Sequence, residues 1–247
     1  EGIEFASGAV GSTVQNDTTY VSGSVFDYCV FQHFITTGGG GAISIQNVSL
    51  LIKNSLFENN IASDGGALSI ASVSTHYFVY CNFINNSVSG NGGAIKVTGS
   101  GGWGSNGTYK YINSKFVNNS SSSGGAICGD TGGYYSNSGE HFVYDCMFIN
   151  NTSGTGSIFY SQSIGGGIFY AENSQFINNH SSGDGGIIRK KWGHGMEFDN
   201  CIFKNNGTGG KGGITYSDYG NCCSSPSVSF ESCSFINNYS SSGGTIS

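Results

Sequence analysis

The sequence predicts an all-β protein, a single-stranded parallel β-helix (a solenoid) of about eight right-handed coils. Three observations predict it. The composition holds 42 Gly in 247 residues, one Pro and 10% charged residues, yet keeps 17 Phe and 14 Tyr, which is too aromatic for a disordered chain. Gly, Ser, Asn and β-branched residues are also poor helix formers. A two-part word, Phe-x-Asn-Asn and then Gly-Gly-x-Ile, returns every 26 to 33 residues. Finally, the variation in that period falls in one arc of the repeat, as expected when each repeat is one turn of a solenoid.

The chain reads as one domain over residues 1–247, with 1–30 a partial coil and long loop and 31–247 the eight repeats. The copies are anchored by Phe31, Phe57, Phe83, Phe116, Phe148, Phe176, Phe203 and Phe235. From the second copy on an Asn pair follows each Phe, whereas the first reads "FQHF". An aliphatic residue comes 10 to 12 positions after each Phe, at Ile43, Leu68, Ile95, Ile127, Ile158, Ile188, Ile214 and Ile246. From there to the next Phe the distance runs from 14 to 21 residues, so insertions gather in that arc.

Each word has a physical reason. Coils stack about 4.8 Å apart, the spacing of neighbouring strands, so the Phe residues form an inward aromatic column that gains roughly 25 cal/mol per Å² buried. The Gly pair permits a turn with positive φ and a close approach between coils. Of the two Asn, the first shares the parity of the Phe and is expected inside, as an amide ladder between coils; the second is expected outside at the turn.

Cys29, Ser55, Cys81, Ser114, Cys146, Ser174, Cys201 and Cys233 stand two residues before the Phe column and share its face, so five of the eight cysteines are expected in the core. Alternation with Ser keeps most of them two coils, about 10 Å, apart, outside the range of a disulfide. Cys201 and Cys233 are ladder neighbours whose parallel side-chain directions disfavour a bridge. The pairing of Cys128, Cys222 and Cys223 is not legible from spacing; Cys222 and Cys223 could bond to each other or to another chain.

The net charge of -6, a pI near 5.2 and nine scattered Lys and Arg argue against nucleic acid and anionic membrane surfaces. No stretch has the roughly 20 apolar residues of a membrane span. The start at Glu1 reads as a mature or excised product that has lost its targeting signal. Asn-x-Ser/Thr acceptors stand at Asn16, Asn47, Asn85, Asn106, Asn118, Asn119, Asn150, Asn151, Asn179, Asn206 and Asn238. With the second Asn outside, Asn119, Asn151, Asn179, Asn206 and Asn238 would form a column of sugars along one edge, placing the protein outside the cell or on its surface.

The segments "FENNIASDGGAL" and "FINNSVSGNGGAI" resemble the repeats of chlamydial polymorphic outer membrane proteins (Pmp) and of similar protist surface proteins, over roughly residues 31 to 247. The resemblance implies a surface β-helix that adheres or assembles.

Parallel β-helices also carry polysaccharide lyases and hydrolases, so Glu172, Asp199 and Glu231, each four residues before a Phe, form the runner-up catalytic set together with His194 of "GHG", which is similar to a polygalacturonase word. Stacked in consecutive coils, the three acids would raise one another's pKa or attract a cation such as Ca²⁺. The paired Asp words and Arg-x-Lys of polygalacturonases are missing, so the expectation is no enzyme, no cofactor and no resident metal. The elastic arc is the better binding face, with Trp103, Tyr134, Tyr135, Trp192 and Tyr219 suited to glycans or to surface proteins of a host or neighbouring cell. Equally, these rings could fold down as lids. Both termini read as bare strands, at Val10 and Ile246, with no charged lid or Pro to blunt them. Stacking one copy's Ile246 strand under the next copy's Val10 strand would grow a glycosylated head-to-tail homopolymer, a filament. A monomeric adhesin is the rival reading, and an excised piece of a longer β-helix, joined covalently at both ends, would also explain the bare edges.

Overall fold

The computed structural model describes residues 2–5, 8–16, 18–98, 107–129, 139–161, 167–190, 195–217, 227–244 and 246, and these wind as a parallel β-helix. The coils stack into three eight-stranded sheets and one seven-stranded sheet. One coil shows the plan. Ile95–Thr98 belongs to an aliphatic sheet, Thr108–Ile112 to a tyrosine sheet, Lys115–Val117 to an aromatic sheet and Ser120–Ser123 to a serine sheet. Each pairs in parallel with its counterparts in the coils before and after. Among the described residues no helix is long and apolar enough to cross a membrane.

Strands are short because the chain turns a corner every few residues. In this coil the corners are Asn113, Asn118 and Gly124, at φ 50°, 56° and 64°. Asn is the non-glycine residue that tolerates this left-handed region best, and the same three corner positions recur in the other coils. The second Gly of the pair answers a different need. A Cβ on Gly93 would lie 2.0 Å from the Gly125 carbonyl oxygen of the next coil, so only a bare α-carbon fits.

The Phe column stacks as expected. Ring centroids lie 4.7 to 5.3 Å apart from Phe31 through Phe235, with interplanar angles of 10° or less. Phe57, Phe83, Phe116, Phe148, Phe176 and Phe203 are fully buried, each contributing roughly 1.5–3 kcal/mol. Edge-on rings of the tyrosine sheet close the core from one side, as Tyr111 does on Phe116 at 5.7 Å.

The structure departs from three expectations. The second Asn of each pair points inward and the first outward. The first Asn adopts positive φ, which ends the strand and breaks the two-residue alternation from which its parity was read. The aliphatic column continues through Phe159 and Thr215, in register with Ile127, Ile188 and, by an isolated bridge, Ile246. Ile158 and Ile214 fill the preceding position, the Ala column of the other coils, and are buried there.

The third correction concerns the start of the chain. The strand that pairs with Ile43–Gln46 is Ile3–Phe5, while Val10 lies outside it, 72% exposed, with its carbonyl accepting from the Ser24 amide. The expected long loop is an antiparallel hairpin, Thr13–Gln15 with Thr19–Ser22, after which Val25–Asp27 and Val30–Gln32 join the tyrosine and aromatic sheets.

Candidate functional site: amide ladder, turn edge and aromatic face

The inner asparagines form a ladder with a direction. Asn119 Nδ2 donates to Asn151 Oδ1 of the next coil (3.0 Å) and to the Phe83 carbonyl of the preceding one (3.0 Å), and the Asn119 amide donates to the same Asn151 Oδ1 (3.0 Å). Asn60, Asn86, Asn151, Asn179 and Asn206 repeat the pattern, each fully buried. In the first coil Phe34 replaces the amide, and only its backbone N–H reaches Asn60 Oδ1, at 3.1 Å. At the other end Asn238 donates to the Phe203 carbonyl at 2.8 Å and accepts from Asn206.

A second ladder runs through the small-residue column. The Cys81 amide donates to Ser114 Oγ (3.0 Å), the Ser114 amide to Cys146 Sγ (3.4 Å) and the Cys146 amide to Ser174 Oγ (3.0 Å). The thiols donate in turn to carbonyls, Cys146 Sγ to Tyr144 O at 3.2 Å and Cys201 Sγ to Asp199 O at 3.3 Å. Burial pushes the Cys81, Cys146 and Cys201 thiols up to about 12, so they remain protonated and unreactive at neutral pH. Cys201 and Cys233 carry free thiols, and the buried Cys128 thiol donates to the Gly129 carbonyl at 3.3 Å. Cys222 and Cys223 lie outside the described residues.

The outer asparagines form the turn edge. Asn85, Asn118, Asn150, Asn178 and Asn205 are exposed, with φ near 55°. Here amide contacts are partial, such as Asn118 Nδ2 to Asn85 Oδ1 at 3.1 Å. The expected sugar column is thus misplaced: Asn119, Asn151, Asn179 and Asn206 are buried, and Asn238 is half-buried at the ladder's end. Asn16 and Asn47 are exposed, and Asn106 lies outside the described residues.

The tyrosine sheet holds what the sequence reading missed. The rigid alternation along Glu140–Tyr144 and Phe169–Glu172 sets Phe142, Tyr144 and Tyr170 outward, with centroids 5.8 to 6.4 Å apart. Their signal was the aromatic alternation in "HFVYD" and "FYAE". Glu172, Asp199 and Glu231 do stack in consecutive coils. They continue the Tyr144 column, and Tyr170 Oη donates to Glu172 Oε2 at 3.1 Å. Desolvation, that bond and the charges of Glu172 and Asp199 push the Tyr170 phenol up to about 12. A cleft of about 350 Å³ beside it is lined by Tyr170, Glu197, Asp199, Phe230 and Glu231 among others. Among the described residues no three His, Cys, Asp or Glu side chains are placed to hold a metal ion. His194, Trp103, Tyr134, Tyr135, Trp192 and Tyr219 lie outside the described residues.

Inside the same sheet, His76, Tyr109 and His141 stack at 5.4 and 5.0 Å. His76 is fully buried, neither ring nitrogen finds a hydrogen-bond partner among the described residues, and desolvation lowers it to about 3. Buried Lys190 donates to the Gly167 carbonyl, and burial lowers it to about 7.

The Chlamydia polymorphic membrane protein repeat matches three segments, residues 54–71, 80–98 and 113–130. The chain carries Pmp-type repeats. Each matched Pmp segment begins at or beside the Asn113-type corner and runs through the Phe strand, the Asn pair and the Gly pair to the aliphatic strand. The match therefore covers the regular half of the coil and stops where the insertions begin. No curated protein and no solved structure matches the chain.

Proposed function

We propose that the chain is an extracellular, surface-associated β-helical rod whose insertion side makes contact with glycans or with proteins of neighbouring cells. The carrying observation is the outward cluster of Phe142, Tyr144 and Tyr170, set on the sheet next to the insertions and beside the Glu172, Asp199 and Glu231 row. Aromatic side chains give large contact area at low entropic cost, and a stacked solenoid holds them at fixed spacing. Surface placement is supported by the Pmp-type repeats, whose family is described as membrane proteins. The reading assigns no catalytic step. Antibody labelling of intact cells tests the placement. For the contact face, the double variant Phe142→Ser/Tyr170→Ser should keep the circular dichroism spectrum and lose binding to cells and glycan arrays. Binding unchanged from the parent protein would sink the contact face.

End-to-end stacking of copies into a filament is the second reading. Phe235 and Ile246, beside the end of the given sequence, are 44% and 47% exposed, and either a second copy or a further coil of the same chain would cover them. In such a joint Ile246 would pair with the Ile3–Phe5 strand rather than with Val10. That pairing would leave one coil without its tyrosine, aromatic and serine strands, because Phe31 and Phe34 of the next copy follow Ile3–Phe5 by one coil and would stand two coils from Phe235 and Asn238. Growth would show in sedimentation velocity as concentration-dependent rods that Phe235→Ser abolishes. A single monomer boundary at every concentration would reject it.

A further inference from the structure

We propose that the protein's N-linked sugars sit on the outer asparagines of the turn edge, at Asn85 and Asn150 with partial occupancy at Asn118, and that the ladder asparagines one residue later stay bare. This rests on the extracellular reading, since sugar transfer belongs to a secretory route. In the transfer, Asn Nδ2 loses one proton and bonds to C1 of a lipid-diphosphate-linked oligosaccharide, while the C1–O bond breaks and the lipid diphosphate leaves.

Overlapping acceptors make the choice a real one. In "NNSS" at 118–121 and "NNTS" at 150–153 both asparagines satisfy Asn-x-Ser/Thr, and in "NNSV" at 85–88 the first does. Residue type and spacing do not separate them, but geometry does. Asn151 Nδ2 uses both hydrogens, one to Asn179 Oδ1 at 3.0 Å and one to the Phe116 carbonyl at 2.9 Å, inside a core that excludes solvent. A sugar there removes one donor and has no room. Asn150 is exposed at φ 56°, anchored only by its backbone amide to the Ile177 carbonyl at 3.1 Å, so its side chain is offered to solvent from a rigid corner.

The edge also sets a spacing rule. Adjacent coils lie about 4.8 Å apart, closer than two glycans can stand side by side, whereas alternate coils leave about 10 Å. Asn85 and Asn150 are alternate. Asn118 lies between them with Nδ2 already on Asn85 Oδ1 at 3.1 Å.

The chain is secreted from a glycosylating eukaryotic host and digested with peptide N-glycosidase in heavy-oxygen water, and site occupancy is read by mass spectrometry. The expected result is near-complete labelling at Asn85 and Asn150, less at Asn118, and none at Asn119, Asn151, Asn179 or Asn206 in the secreted, folded fraction. The double variant Asn85→Gln/Asn150→Gln should be secreted at the parent's folded yield with less sugar. Sugar on any of the four ladder asparagines in folded protein would overturn the proposal, as would bare Asn85 and Asn150 in secreted material. Because the host supplies the route, a negative antibody result on native cells would sink the surface reading and leave this assignment of accessible asparagines standing.

Discussion

Asn118 and Asn119 are neighbours of identical chemistry with opposite fates. Asn118 sits at φ 56° on the surface, while Asn119 is buried and holds three bonds to the adjacent coils. The left-handed residue supplies the corner, and the residue after it inherits the inward direction. Burial then magnifies what each amide is worth: an outer amide exchanges freely with water, whereas an inner one leaves donors stranded if its partner is lost.

The sharpest test is to remove one member of each kind. Asn151→Leu should cost about 3–5 kcal/mol in urea unfolding, because the Asn119 amide and Nδ2 lose their acceptor and the Phe116 carbonyl its donor, while Asn150→Gln should change stability by less than about 1 kcal/mol. Equal costs would break the distinction. The aromatic column offers a second contrast. Phe116→Ala, in mid-rod, should cost about 3–5 kcal/mol, and Phe235→Ala, 44% exposed in the last coil, about 1 kcal/mol or less.

His76 sharpens the point with a group whose burial is not matched by a bond. Its pKa is about 3 in the folded protein against 6.5 in the unfolded chain, so the unfolded state binds the extra proton. The stability tied to neutral His76 is fully present above pH 6.5 and falls as the pH drops from there towards 3, by up to about 1.4 kcal/mol per unit. His76→Phe should flatten that slope between pH 6 and pH 4 in thermal melts relative to the parent protein. An unchanged slope would show that His76 is not the group being titrated.

The smallest effect is at the corners. Tyr80 takes φ 54° where Asn54, Asn113, Asn173 and Asn200 stand in other coils. Tyr80→Asn should gain about 0.5–1 kcal/mol by relieving the left-handed penalty. A loss would mean that the exposed ring makes contacts worth more than that strain.

Much of the fold was legible in the sequence. The period, the Phe column, the Gly pair and the single variable arc are repeated many times over, and a stacked coil can bury that pattern in one way only, with like residues above like. The three Pmp-type matches fall on that repeated half. The candidate site was less legible. The Glu172, Asp199 and Glu231 row follows from counting back from the Phe, but the outward Phe142, Tyr144 and Tyr170 cluster does not, because nothing in residue type separates these rings from the aromatics of the loops.

What the sequence determined by itself was therefore the set of columns: all-β class, one coil per repeat, Phe inside and Gly at the turns. Tertiary structure decided which residue of each word faces in. It placed Asn119 rather than Asn118 in the core, Phe159 rather than Ile158 in register with Ile127, and Ile3 rather than Val10 beside Ile43. The physical reason is common to the three. Alternation predicts side-chain direction only while a strand continues, and here strands last two to five residues before a corner or an insertion resets the count. The register across coils, set by backbone bonds and close packing between neighbours, then chooses the one frame in which every buried amide finds its partner.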